Sequence, residues 1–176
     1  RRKTIKSNLG SDENIWKQFA ELGWLGLPFL EKDGGFGGDS MDLNILMESF
    51  GKGLVIEPYL STVVLSGSLL TLCPESKIRN SIINNIILGN NKVSFAYAEP
   101  TSRFNLNDVT TTAKLDNNKW VLNGHKSVVF GAGQSDFIIV SARTRGNRFE
   151  EDGISLFIVA KDTSGLEVQD YATVDG

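Results

Sequence analysis

Few side chains in this sequence are equipped to do chemistry unaided. There is one histidine, His125, and one cysteine, Cys73. One of each cannot build the usual zinc site. A Ser-His-Asp triad would need His125, which falls in an expected turn. Cys73 ends the run Leu69-Leu-Thr-Leu-Cys73, a setting for a buried structural thiol rather than a nucleophile. The loop Gly34-Gly-Phe-Gly-Gly38 invites phosphate chemistry. However, a Walker loop needs Gly-Lys-Ser/Thr, and a dinucleotide fingerprint must follow a strand. Neither context is present, which favours a structural tight turn. The remaining candidate is Glu99, which closes Phe95-Ala-Tyr-Ala-Glu-Pro100. By residue type alone, Glu99 is a strand-end carboxylate and Tyr97 a core aromatic.

The elements that must position these residues change character along the chain. Ser11 is placed to cap a helix running to Gly23, with Ile15, Phe19 and Leu22 on one face. The apolar stretch Trp24 to Leu30 contains Gly26 and Pro28, so it reads as a buried connector. Ser40 is placed to cap a second helix carrying Met41, Ile45, Leu46 and Glu48 and ending near Gly51. A third helix follows Pro58. Pro74-Glu75 opens a fourth, in which Ile78, Ile82 and Ile86 recur every four residues and which Gly89 closes.

From Asn91 the apolar period shortens to that of strands. Six are expected: Val93–Tyr97, Val109–Leu115, Lys119–Leu122, Lys126–Phe130, Phe137–Ala142 and Ile154–Ala160. Asn117-Asn118 and Asn123-Gly124 are turn signals between them. Helices followed by strands, without βαβ alternation, predict an α+β fold with a boundary near residue 90.

Composition excludes several classes. A net charge of −3 argues against broad nucleic-acid binding, which needs a concentrated positive surface. Arg1, Arg2, Lys3 and Lys6 form a basic start, read either as a solvated end or as a targeting segment, although no apolar core follows it. The longest apolar stretch, Tyr59 to Cys73, is broken by Ser61, Thr62, Ser66, Gly67, Ser68 and Thr71, so no membrane span is expected. A single cysteine excludes an internal disulfide, and a reducing cytoplasm is the default location. The chain starts without Met and ends at Gly176 after a strand-like segment, which reads as a fragment or processed product.

Read as a pattern, the sequence resembles the acyl-CoA dehydrogenase family over nearly its whole length, from about Phe19 to Gly176. Leu27-Pro-Phe-Leu-Glu-Lys-Asp-Gly-Gly-Phe-Gly-Gly38 is similar to the segment joining two N-terminal helices of that family, and Phe19-Ala-Glu-Leu-Gly-Trp-Leu-Gly26 precedes it appropriately. Tyr97-Ala-Glu-Pro-Thr-Ser-Arg-Phe-Asn105 stands where the family has Leu/Val-Thr-Glu-Pro-x-x-Gly-Ser-Asp beside the flavin ring. Lys126-Ser-Val-Val-Phe-Gly-Ala132 stands where it has Lys-x-Trp-Ile-Thr-Asn-Gly. Glu99, Pro100 and Lys126 are retained. Ala98 replaces a Thr, Arg103-Phe-Asn105 replaces Gly-Ser-Asp, Val128 replaces a Trp, and Phe130 replaces a Thr. Val128 and Phe130 also read as one face of a buried strand. Within the family, the run from Glu99 to Lys126 most resembles the small subunit of pimeloyl-CoA dehydrogenase.

The resemblance implies an N-terminal helical domain over 1–90 and an antiparallel, β-barrel-like, flavin-binding domain over 91–176 that is incomplete at its C-terminus. The family's C-terminal helical domain would follow. It implies FAD as cofactor, with Phe95, Tyr97, Ala98, Arg103, Phe104, Val128, Val129 and Phe130 as the cofactor-facing set. It also implies an acyl-CoA substrate, an electron-transfer protein as acceptor, and a related subunit as partner in a homo- or hetero-oligomer. In the family a carboxylate removes the α-proton, the flavin takes the β-hydride, and a trans-2-enoyl-CoA remains. That base usually sits in the C-terminal domain, so no catalytic residue is assigned here, and Glu99 takes a structural place. Arg103 brings a guanidinium to a loop that elsewhere meets phosphate through small residues. Either it grips pyrophosphate or it is a solvated loop side chain. Two other readings stay open: a subunit with weak or no flavin binding beside a catalytic partner, and a flavin-dependent oxidase or monooxygenase.

Overall fold

The computed structural model describes residues 10–171. The basic cluster Arg1, Arg2, Lys3 and Lys6 therefore lies outside the described residues. Helices fill the first half and a five-stranded sheet fills the second, as the change of apolar period predicts.

Helix α1 (Glu13–Glu21) is capped by Asp12, whose side chain accepts from Asn14 N at 2.9 Å, rather than by Ser11. Its buried face is Trp16 and Phe19, whereas Ile15 and Leu22 are exposed. The expected face was thus rotated, because Trp16 carries the largest apolar area and takes the core position. Helix α2 (Ser40–Gly53) starts one residue earlier than its expected cap implied. Asp39 and Asp42 form a reciprocal capping box that satisfies donors at both ends of the first turn. After Pro58 the chain winds as a wide π-type helix (Leu60–Gly67) that runs straight into α3 (Ser68–Leu72). Cys73 caps α3 half-buried, so it is not the fully buried thiol expected. Helix α4 (Lys77–Ile87) is capped by Ser76 and buries Ile82 and Ile86, while Ile78 faces outward.

The glycine-rich loop is a structural turn. Gly35 N donates to Leu30 O, Phe36 N to Gly26 O, Gly37 N to Phe29 O and Gly38 N to Leu27 O, at 2.8–3.1 Å. Its donors face the connector, so no cradle remains for a phosphate. A Cβ on Gly35 would stand 2.2 Å from Phe29 O, so the backbones meet where no side chain fits. Beside it, Asp33 takes both terminal nitrogens of Arg79 at 2.7 and 3.1 Å, both groups buried, which locks the loop to α4.

The sheet is mixed rather than purely antiparallel. Strand β4 (Phe137–Arg143) is its centre. On one edge it pairs in parallel with β1 (Val93–Ala96), register Val93↔Phe137 to Ala96↔Val140, and then meets β2 (Thr112–Asp116) at Thr112↔Arg143. On the other edge β5 (Ile154–Ala160) runs antiparallel along its whole length. Strands β2 and β3 (Lys119–Asn123) form a hairpin whose two turn residues, Asn117 and Asn118, both have positive φ, 47° and 62°. That is the turn the Asn-Asn signal announced. Asn123-Gly124 is not a turn. Gly124 lies against Thr111, where a Cβ would come within 2.3 Å of Thr111 Oγ1, so close approach explains this glycine. The expected strand Lys126–Phe130 is irregular backbone, and the strand expected from Val109 starts at Thr112.

Parallel strands require a long crossover. Here the crossover from β1 to β4 spans residues 97–136 and contains the β2–β3 hairpin and both segments compared above with flavin-contacting ones. The helical core, built on Trp16, Phe29, Tyr59, Val63 and Ile86, reaches the sheet through Val93 and Ile139. A smaller core of Ala96, Ile138 and Val140 covers the opposite face. The outer edge of β1 is closed by the π-type helix: Val93 N donates to Thr62 Oγ1 at 3.2 Å, and Ser66 Oγ donates to Val93 O at 3.1 Å.

Candidate functional site

The two crossover segments lie side by side, joined by a buried ion pair. Glu99 sits just beyond β1, where Pro100 bends the chain into a turn closed by Ser102 N donating to Glu99 O at 3.1 Å. Ser102 Oγ accepts from Glu99 N at 2.9 Å and fixes that turn from within. The turn drives the Glu99 carboxylate inward. There it accepts from Thr110 N (2.8 Å), Thr111 N (2.9 Å), Lys126 Nζ (2.9 Å) and the Thr110 hydroxyl. Lys126 in turn donates to Tyr97 O at 3.3 Å and Ser141 Oγ at 3.0 Å, and Ser127 N donates to Ala98 O at 2.9 Å. Burial pushes the Glu99 carboxyl up, but the donors from Lys126, Thr110 and Thr111 outweigh it and hold its pKa at about 2. Such a carboxylate is a poor proton acceptor. Its role is to hold the two segments together.

Around this strut the structure gathers part of the expected cofactor-facing set. Tyr97 and Ala98 are half-buried, and the Tyr97 ring lies 5.2 Å from that of Phe95, which packs against the helical core. Val128 and Phe130 are exposed, whereas Val129 turns into the smaller core. Phe130 is fixed by Ser94 Oγ, which donates to its carbonyl at 2.8 Å and also meets the Ser135 hydroxyl. Val128 has φ 53°, a left-handed conformation that a β-branched residue rarely adopts. This local strain is a hallmark of sites where geometry is imposed by the surroundings.

Arg103 and Phe104 lie beyond the Glu99–Ser102 turn. Arg103 has φ 50°, is exposed, and has no hydrogen-bond or ion-pair partner among the described residues. Phe104 is 99% exposed. Their loop is nevertheless anchored at its far end. The Arg143 guanidinium, buried at the end of β4, donates to the carbonyls of Asn107 (2.9 Å), Val109 (3.2 Å), Arg148 (2.8 Å), Glu150 (3.0 Å) and Asp152 (3.1 Å). Arg148 also pairs with Asp108 and reaches Thr101 Oγ1 at 3.0 Å. Sequence reasoning passed over Ser102, Thr110, Thr111 and Arg143. The signal for Arg143 was there: it is the one charged residue in the apolar run Phe137 to Arg143.

Residues 94–176 match the acyl-CoA dehydrogenase middle domain, and residues 3–74 match the acyl-CoA dehydrogenase N-terminal domain. The chain carries the N-terminal and middle domains of the acyl-CoA dehydrogenase family. It is 30% identical over 155 residues to the probable acyl-CoA dehydrogenase YngJ of Bacillus subtilis (strain 168), covering 87% of this chain and 41% of that protein. It is 31% identical over 161 residues to the caffeyl-CoA reductase-Etf complex subunit CarC of Acetobacterium woodii, covering 89% and 41%. The solved Tcur3481-Tcur3483 steroid acyl-CoA dehydrogenase superposes with a TM-score of 0.87 at 26% identity, over 100% of this chain and 46% of that one. The chain thus spans about two fifths of the length of these two curated relatives. Among the described residues no helix is long and apolar enough to cross a membrane.

Proposed function

We propose that this chain is the N-terminal and middle part of an FAD-dependent acyl-CoA dehydrogenase that oxidises an acyl-CoA thioester to the trans-2-enoyl-CoA. The observation that carries the reading is the Glu99–Lys126 strut, which sets Phe95–Ala98 beside Lys126–Phe130. The half-buried Tyr97 and Ala98 and the outward Val128 and Phe130 suit a flat ring with one apolar face, so these residues fit a flavin. In this reading they would hold the ring, and Arg103 with Phe104 would meet a phosphate-bearing part of FAD or CoA. Bound FAD supplies the two-electron acceptance that no side chain here provides. The division between the two domains falls near residue 90, and a cytoplasmic location accompanies the reading.

The electron acceptor is proposed to be an electron-transfer protein, which the name of the CarC relative supports, since that protein belongs to a complex with Etf. A related dehydrogenase subunit is the proposed partner, and a dicarboxylyl-CoA such as pimeloyl-CoA the proposed substrate. A second reading is favoured by Ala98, Val128 and Phe130: they lack the hydroxyl and indole groups of the family pattern, as expected for a heteromer subunit that binds flavin weakly or not at all. The visible spectrum of the purified full-length protein, before and after acyl-CoA addition, separates the two. A flavin band bleached by an acyl-CoA supports the dehydrogenase. A protein that stays colourless with its partner after FAD reconstitution supports the accessory subunit.

A further inference from the structure

Two buried hydroxyls stand behind the segment that carries Val128 and Phe130. Ser94, on β1, and Ser135, just before β4, are both buried and within hydrogen-bond reach of each other. Ser94 Oγ lies 2.8 Å from Phe130 O, and Ser135 Oγ lies 2.8 Å from Gly131 O. Each hydroxyl has one proton to give, so two protons face three contacts. Gly131 O also accepts from Gln134 N at 3.0 Å, whereas among the described residues Ser94 is the one donor that reaches Phe130 O. One arrangement serves every group: Ser135 donates to Ser94, Ser94 to Phe130 O, and Gln134 N to Gly131 O. The reverse order leaves the Phe130 carbonyl without a donor.

This chain acts beside the strained residue of the segment. Val128 has φ 53°, which a β-branched side chain keeps only where its surroundings over-determine it. It is held from both sides. Before it, Ser127 N donates to Ala98 O at 2.9 Å, and after it Ser94 holds the Phe130 carbonyl. The next residue, Gly131, has φ 74°, and a Cβ there would stand 2.7 Å from Ser61 Oγ and 3.4 Å from Ser94 Oγ. The absence of a side chain lets the segment approach Ser94 this closely.

We infer that Ser94 and Ser135 are positioning residues for the flavin-facing segment. Their donor chain pins the Phe130 carbonyl inward, keeps Val128 left-handed, and so turns the Val128 and Phe130 side chains outward. The inference rests on the flavin reading proposed above. In the full-length protein, Ser94→Ala should weaken FAD binding roughly tenfold and shift the visible absorbance and circular dichroism of the bound flavin. Ser135→Ala keeps the Ser94 donor but loses its orientation, so it should move the same readouts the same way by less; it carries the comparison if Ser94→Ala does not fold. Ser66→Ala is the control. It removes another buried hydroxyl that donates to β1, to Val93 O at 3.1 Å, but does not reach the segment. It should lower the thermal midpoint and leave flavin affinity and spectrum as in the parent. A crystal structure of ligand-free Ser94→Ala should show Val128 released from the left-handed region. If the parent binds FAD but both serine variants keep its affinity and spectrum, the inference falls and the flavin reading stands. The same holds if Ser66→Ala shifts them as much as Ser94→Ala, or if Val128 stays left-handed in that crystal. A parent that binds no FAD overturns the flavin reading itself and takes the inference with it.

Discussion

The two stretches that flank Pro100 are held in opposite ways. Before it, and across from it at Lys126, polar groups are buried and paired: Glu99 meets donors from Thr110, Thr111 and Lys126, and Lys126 meets three acceptors. After Ser102, Arg103 and Phe104 stand in solvent, one with a left-handed backbone and the other almost wholly exposed. The residues retained from the acyl-CoA dehydrogenase pattern, Glu99, Pro100 and Lys126, are the ones the fold consumes. Of the departures, Ala98 is half-buried, whereas Arg103, Phe104, Val128 and Phe130 face outward. Here the fold fixes a strut, and identity has changed on the surface which that strut presents.

This contrast can be broken most forcibly at the strut. Glu99→Gln leaves the Lys126 ammonium buried without a counter-charge, and should cost about 3–5 kcal/mol in a denaturant titration. The same carboxylate gives a signature in acid. Its pKa falls from an ordinary 4.5 to about 2 in the folded protein, so its stabilisation is complete above pH 4.5 and is lost as pH falls towards 2. Unfolding curves measured across that window should show a downward component in the parent that Glu99→Gln lacks. Arg143→Met comes next. Removing a guanidinium that meets five carbonyls should cost about 2–4 kcal/mol and speed amide exchange in residues 105–109 and 148–152. On the outward side effects should be small. Val128→Gly removes about 1–2 kcal/mol of left-handed strain against about 0.4–1 kcal/mol of added unfolded-state freedom. Its thermal midpoint should match or slightly exceed the parent's, and a clear fall would show that the Val128 side chain is held from outside by packing.

Much of the strut was legible in the sequence, but not its geometry. Glu-Pro after an apolar strand marks a turn, and Ser102 three residues on is where a turn-closing hydroxyl belongs. The partner of Glu99 was hidden, because a 27-residue separation to Lys126 has no local signature. The π-type helix went unseen for a related reason. Its Thr62 and Ser66 face the edge of β1, a tertiary demand that reads locally as polar interruptions of an apolar helix. Periodicity likewise missed that Lys126–Phe130 is not a strand. Val128 and Phe130 do point one way and Val129 the other, but the edge such a strand would have paired with is taken up by side-chain and carbonyl bonds from Lys126 and Ser94. The parallel β1–β4 pairing needs the long crossover over 97–136, but strands counted in order read as plain succession and gave no sign of it.

The outward surface is tested most directly at Arg103. In the full-length protein, with the proposed partner subunit where one co-purifies, Arg103→Ala should leave the thermal midpoint of the ligand-free form unchanged, since nothing among the described residues binds that guanidinium. It should weaken FAD or acyl-CoA binding by roughly tenfold in titration calorimetry, about 1.4 kcal/mol, with Arg103→Lys recovering only part because the planar fork is lost. Unchanged affinity for both ligands, or a ligand-free midpoint that falls, contradicts the division between a buried strut and a ligand-facing loop.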